Sequence, residues 1–129
     1  MLKGKRIIVT GSARGMGEAT LNAYVQAGAD VVGMDVTDDA GRSISEKANK
    51  TGPGKCSYIH VDVSDKSSVD DSFSKAAEIL GGLDVLAHPA AIQRASDASN
   101  VSVEDWDLMF SVNVKGTMLT NQIAYKYMK

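Results

Sequence analysis

Four short apolar runs punctuate the chain, and longer stretches of mixed polarity separate them. The first, "KRIIVTG", is rich in β-branched residues and ends in glycine, which predicts a buried strand over about residues 5–10. "DVVGMDV" (30–36), "CSYIHVDVSD" (56–65) and "LDVLAHPAA" (83–91) repeat the pattern and predict three more strands. Between the runs, apolar positions recur at helical spacing. In "GMGEATLNAYVQAG" (15–28), Met16, Ala19, Ala23 and Ala27 fall on one stripe, and Gly28 reads as the stop. "DAGRSISEKANK" (39–50) predicts a polar, weakly amphipathic helix, closed by the loop "TGPG". "KSSVDDSFSKAAEILGG" (66–82) puts Val69, Phe73, Ala76, Ala77 and Leu80 on one side of a third helix. The last stretch, "SVEDWDLMFSVNVKGTMLTNQIAYKYMK" (102–129), reads as one long fourth helix. Ser102 and Asp105 have capping-box spacing at its start, with Asp in place of the usual Glu.

The order is therefore βαβαβαβα. Alternation at this length implies a parallel sheet with helices on both faces, and nearly continuous apolar strands fit a sheet covered on both sides. The expectation is a Rossmann-like three-layer α/β/α fold, forming one domain over residues 1–129.

Composition narrows the partners. Hydrophobic residues make up 43% and charged residues 23%, enough apolar material for a core in a globular domain. The net charge of −2, with no block of like charges, argues against nucleic acid and anionic membrane. One cysteine, Cys56, permits no internal disulfide and fits a reducing, cytoplasmic setting. The apolar run at the N-terminus is too short for a signal peptide or a membrane span. No metal site is expected.

Candidate chemistry concentrates where the first strand enters the first helix. "TGSARGMG" (10–17) holds Gly11, Gly15 and Gly17, spaced as glycine, three residues, glycine, one residue, glycine. Ser12, Arg14 and Met16 share the turn. A pyrophosphate binds at a helix N-terminus because free N–H groups and the helix dipole face it, and a Cβ there would hold the backbone away. The spacing differs from the G-x-G-x-x-G fingerprint. Its position after strand one nevertheless points to nucleotide binding, as does the acid ending strand two. That acid is Asp35, eighteen residues beyond Gly17. A carboxylate there can accept ribose hydroxyls and repel a 2′-phosphate, favouring NAD over NADP. Arg14 pulls the other way, since a guanidinium can pair a 2′-phosphate, but no second basic residue follows at positions 36 to 38.

"TGSARGMG" followed by "MD", "VDVSD", "LDVLAHPAA" and "VNVKGT" resembles the short-chain dehydrogenase/reductase family, over the whole chain and in the family's order. The resemblance implies a strand order of 3-2-1-4. It implies that Gly11, Gly15 and Gly17 face the cofactor pyrophosphate, that Asp62 accepts from the adenine amino group, and that Val63 offers a backbone N–H. Asn113, in "SVNVKGT", matches the family's catalytic asparagine, which holds a water linking the catalytic lysine to a proton relay; read bare, it is a buried Asn bonded to backbone, and both readings can hold at once. Where the family carries Asn-Asn-Ala-Gly, this chain has His88, Pro89, Ala90 and Ala91. The family's first Asn ties the central strands together and lines the cofactor. His88 could still donate a hydrogen bond there, though a lone His at a strand end is more often structural. Pro89 removes a backbone donor, and Ala91 adds a Cβ where the family's Gly lets the cofactor lie close. The resemblance thus carries an expectation of lowered cofactor affinity or a shifted loop.

The tail holds Tyr125 and Lys129, four apart as in the family's catalytic pair. They lie on the same helix as Asn113, not on the next one. Twelve residues put Tyr125 roughly 18 Å further along the axis and roughly 120° around from the Asn113 face, on which Trp106, Thr120, Ala124 and Tyr127 fall. The pair reads as the surface end of the helix. The resemblance implies that the chain holds the first half of the family domain. The catalytic Ser, the catalytic Tyr and Lys and the substrate loop lie outside it. Strand four, interior in the family, is left with an open edge, which predicts self-association through that edge or the fourth helix. Two functions fit: the NAD-binding part of an oxidoreductase acting on an alcohol or ketone, not catalytic as this isolated chain, or a non-catalytic dinucleotide-binding or oligomerisation module.

Overall fold

A computed structural model describes residues 1–129. Strands β1 (Arg6–Thr10), β2 (Asp30–Asp35), β3 (Lys55–His60) and β4 (Val85–Ala87) form one parallel sheet in the order β3-β2-β1-β4. The class is the one the alternating pattern implies, and the strand order is the one the family resemblance implies. Helices α1 (Gly15–Gln26), α2 (Asp38–Thr51) and α3 (Lys66–Leu80) carry the three crossovers. Successive residues of a strand face opposite sides of the sheet, so β1 feeds two cores. Ile7 and Val9 pack with Leu21, Val25 and Ala48 on one side, and Ile8 packs with Val69, Phe73 and Leu119 on the other. The Arg6 guanidinium donates to both carboxylate oxygens of Asp84, which fixes the entry to β4 beside β1. That pairing holds the Asp84 carboxyl well below the usual carboxylate range.

Three expectations are corrected. In α1 the buried residues are Gly17, Leu21 and Val25, while Met16, Ala19 and Ala23 face solvent and Ala27 is half-buried. Both stripes have helical spacing, and the larger side chains win the buried side. Strand β3 stops at His60 and β4 spans only Val85–Ala87, so "VDVSD" and "HPAA" are loops at the strand ends. The fourth helix is not one α-helix. It comprises α4 (Val103–Phe110), a π-helical turn (Ser111–Lys115) and α5 (Gly116–Met128).

The π turn matters because its wider winding shifts the helical phase. Downstream, Gly116, Leu119, Thr120 and Ala124 are buried, whereas no residue of α4 is. Trp106 therefore leaves the face expected for it: it is 53% exposed and stacks on Phe110, with ring centroids 4.8 Å apart. At the start of α4, Ser102 Oγ accepts the Asp105 N–H at 3.0 Å. The Asp105 carboxylate turns instead toward Arg94, so half of the capping box forms.

Candidate functional site

The strands are parallel, so the loops that follow β1, β2, β3 and β4 gather along one edge of the sheet. They enclose a cleft of about 560 Å³, at the place where open α/β sheets present their ligand crevices. Gly11, Arg14, Gly15, Met16, Gly17, Asp35, Asp62, Val63 and Ala90 all line it. Three other candidates do not. Ser12, His88 and Asn113 lie behind the lining, and each has a structural partner there.

The floor is the turn after β1. Gly11 has φ +65°, a left-handed conformation, and the Ala90 backbone crosses directly over it, so a side chain at Gly11 has no room. Gly17 packs its Cα against the Gly11 carbonyl, which brings the first turn of α1 onto the glycine loop. The first N–H groups of α1 have no partner within the helix and carry its positive dipole end. Ser12 is fully buried, and its N–H donates to the Met34 carbonyl at 3.1 Å. It ties the turn to β2 rather than facing the cleft.

One wall is Asp35. Its Oδ2 accepts the Ala13 N–H at 3.0 Å, and its Oδ1 accepts the N–H groups of Val36 at 2.7 Å and Thr37 at 3.0 Å. Three backbone donors fix the carboxylate, and the unfilled acceptor position is on Oδ2. The far wall is the loop after β3. Asp62 Oδ1 accepts from Ser64 through both N–H and hydroxyl, and the Asp62 N–H donates to Ser68 Oγ. Gly116 lets α5 approach the Val63 side chain closely. At the next helix start, Asp65 caps α3 by accepting the Ser67 N–H.

His88 follows β4 and turns its Nδ1 toward the Thr10 hydroxyl at 2.7 Å, with Thr120 Oγ1 at 3.4 Å. It bridges β1, β4 and α5. Its Nε2 is buried without a partner, and burial pushes the ring below the ordinary histidine value of 6.5. Below that value the unfolded chain binds more protons than the folded one, so stability falls as pH drops from about 6.5. We expect His88→Asn to flatten this slope. Urea unfolding at about pH 7.5 and about pH 5.5 checks it, and equal losses in both proteins would refute it.

Asn113 lies in the π turn and makes a two-point contact with a single residue. Its Oδ1 accepts the Ile92 N–H and its Nδ2 donates to the Ile92 carbonyl, both at 2.8 Å. The amide thereby pins the loop after β4, whose Pro89, Ala90, Ala91 and Ile92 close the cleft. Tyr125 is 65% exposed and the Lys129 ammonium lies 6.0 Å from its ring centroid, a surface pair remote from the cleft. Sequence reasoning did not name Ala13, Val36, Thr37 or Ala40 as lining residues. Val36 and Thr37 directly follow Asp35, and that adjacency was the available signal.

The sequence pattern of the short chain dehydrogenases matches residues 5–129. The chain belongs to that family. The family consists of oxidoreductases that use nicotinamide dinucleotides. A sorbitol dehydrogenase of Cereibacter sphaeroides is 35% identical over 127 residues, covering 98% of this chain and 48% of that protein. A 3-oxoacyl-[acyl-carrier-protein] reductase of Thermotoga maritima is 32% identical, with coverage of 98% and 51%. Among solved structures, a short chain dehydrogenase from Burkholderia cenocepacia in complex with NADP superposes with a TM-score of 0.92 at 29% identity. It is covered over 52% of its length, by 98% of this chain. The chain thus spans about half the length of the family members it matches. No helix is long and apolar enough to cross a membrane.

Proposed function

We propose that this chain is the cofactor-binding part of a short-chain dehydrogenase that prefers NAD to NADP. The observation that carries the reading is the facing of the glycine turn and the Asp35 carboxylate across one cleft. The residues fit the group: the Gly11–Gly17 contact seats the α1 N-terminus on the cleft, and Gly15 leaves open there the space that a Cβ would fill. Asp35 Oδ2 would accept a ribose hydroxyl and repel a 2′-phosphate, Asp62 would accept from the adenine amino group, and Arg14 stands in the same lining beside the glycines. The bound cofactor supplies hydride transfer with an alcohol or ketone. In this reading Asn113 holds the relay water, and turnover needs the Ser, Tyr and Lys supplied by the family's second half. The test is a calorimetric titration of the purified chain with NADH and with NADPH. Saturable binding that is tighter for NADH is the expected result. Tighter NADPH binding, or none of either, would overturn the reading.

The alternative role, assembly, has its own observation. Trp106, Phe110, Val114 and Met118 are exposed along α4, the π turn and α5. An exposed apolar face invites a second copy. Sedimentation is expected to show concentration-dependent self-association, and a clean monomer at high concentration would exclude it.

A further inference from the structure

Behind the Asp35 wall lies a cluster outside the cleft lining. Tyr58, on β3, places its phenol oxygen 2.7 Å from the Asp35 carbonyl oxygen and 2.7 Å from Asp38 Oδ1. The phenol has one proton, and both neighbours accept, so that proton is shared between them. His60 Nδ1 lies 2.8 Å from the same Asp38 oxygen. The Asp35 carbonyl also accepts the Val61 N–H at 3.0 Å. The ring itself is held flat against α2: a side chain at Gly41 would collide with it, and the Arg42 guanidinium lies 5.9 Å above its centroid.

This arrangement spans the corner that aims Asp35. The segment Asp35–Asp38 leaves β2 and enters α2 across only Val36 and Thr37, and Thr37 provides no side-chain cap for the helix. The N–H groups of those two residues, with that of Ala13, orient the Asp35 carboxylate. The Tyr58 phenol grips both ends of the segment, the Asp35 carbonyl and the Asp38 carboxylate, from the neighbouring strand. His60, the register partner of Asp35 in β3, fixes Asp38 from the same side.

We propose that Tyr58 is a positioning residue for cofactor selectivity, setting the Asp35 carboxylate in the cleft by clamping the Asp35–Asp38 corner. It touches no cleft space itself and acts through Asp35. The selectivity half of the inference rests on the NAD reading above, and the clamping half does not.

Tyr58→Phe keeps the ring on Gly41 and removes the phenol. Amide hydrogen exchange read by NMR tests the clamp without any cofactor. Exchange at Ala13, Val36 and Thr37 is expected to speed up about fivefold, with the amides of α3 unchanged. Unchanged exchange at those three amides overturns the proposal, whatever the chain binds. Titrations with NADH and NADPH test the consequence. The NADH-to-NADPH affinity ratio is expected to fall about fivefold, since a loosened carboxylate both holds ribose and repels phosphate less well. A merely structural role would weaken both cofactors alike, and an unchanged ratio with an intact wild-type preference overturns the selectivity role. Failure of the wild type to prefer NADH refutes the NAD reading instead and leaves the exchange result to decide the clamp. Asp38→Ala is the second variant. It leaves the phenol donating to the Asp35 carbonyl, so its effect is expected to be smaller, and a larger one would move the clamp's centre from Tyr58 to Asp38.

Discussion

Gly17→Ala should cost the chain about 3 kcal/mol of stability, a drop of roughly 10 °C in the unfolding midpoint, whereas Gly15→Ala should cost about 1 kcal/mol. The two glycines lie two residues apart in the same turn, and their surroundings differ. A Cβ on Gly17 would drive into the Gly11 carbonyl, a backbone atom that cannot rotate away. Relief requires α1 to lift off the turn, and Leu21 and Val25 on the same helix face are fully buried against the sheet. Gly15 has open space around its Cβ direction, and the penalty there is conformational, from its φ of +57°. Both residues line the cleft, so the proposed cofactor role adds a second contrast. Gly15→Ala should retain the fold and lose NADH affinity, because its new methyl occupies open space in the cleft. Thermal unfolding and a titration of each variant check the pair. Equal stability losses would show that the Gly17 contact yields by a small shift of the helix.

The places of the strands and the glycine turn were legible because local chemistry marks them, while the strand order came from the family resemblance. Apolar, β-branched runs mark where the strands lie, the glycine after Thr10 marks the end of β1, and the alternation with helices implies the parallel sheet. The two rival stripes of α1 were not separable by spacing. Alanine is apolar yet small, so Ala19 and Ala23 tolerate solvent while Leu21 and Val25 take the sheet. The π turn left no local mark, since each residue in "SVNVK" also suits an α-helix. Its effect appears only in the phase of Trp106 against Thr120. Contacts between segments distant in the chain were likewise out of reach: Asn113 with Ile92 is 21 residues apart and Tyr58 with Asp35 is 23. Sequence reasoning recognised Asn113 through the family and Asp35 through its place after strand two. A backbone-bonded Asn113 was within reach, but not that its partner is Ile92 in the cleft's closing loop, nor that Tyr58 grips the corner of Asp35. His88 shows the converse. The departure at "HPAA" was visible, and the structure adds the reason the larger ring fits, a Thr10 hydroxyl in place to meet Nδ1.

Asp35→Ala should abolish measurable NADH binding and also destabilise the chain, while Asp35→Asn should separate the two effects. The carboxylate receives three backbone N–H groups, and the Ala13 donor belongs to a buried residue. Alanine strips all three of their acceptor. One buried, unpaired donor alone costs about 1–3 kcal/mol, with Val36 and Thr37 partly rescued by water because they are exposed. Asparagine keeps the shape and one acceptor oxygen. Its amide oxygen can serve Val36 and Thr37, but the amide nitrogen then faces the Ala13 N–H, donor against donor, so it regains only part of the stability. The same flip removes the Oδ2 acceptor proposed for the ribose, together with the negative charge that repels a 2′-phosphate. Asp35→Asn is therefore expected to bind NADH about tenfold more weakly than wild type and to lose its preference over NADPH. Titration with both cofactors beside urea unfolding distinguishes the cases. An asparagine variant that keeps the wild-type preference would move discrimination away from Asp35, toward Arg14 or the "HPAA" loop. A stable alanine variant would show that water replaces the carboxylate at Ala13.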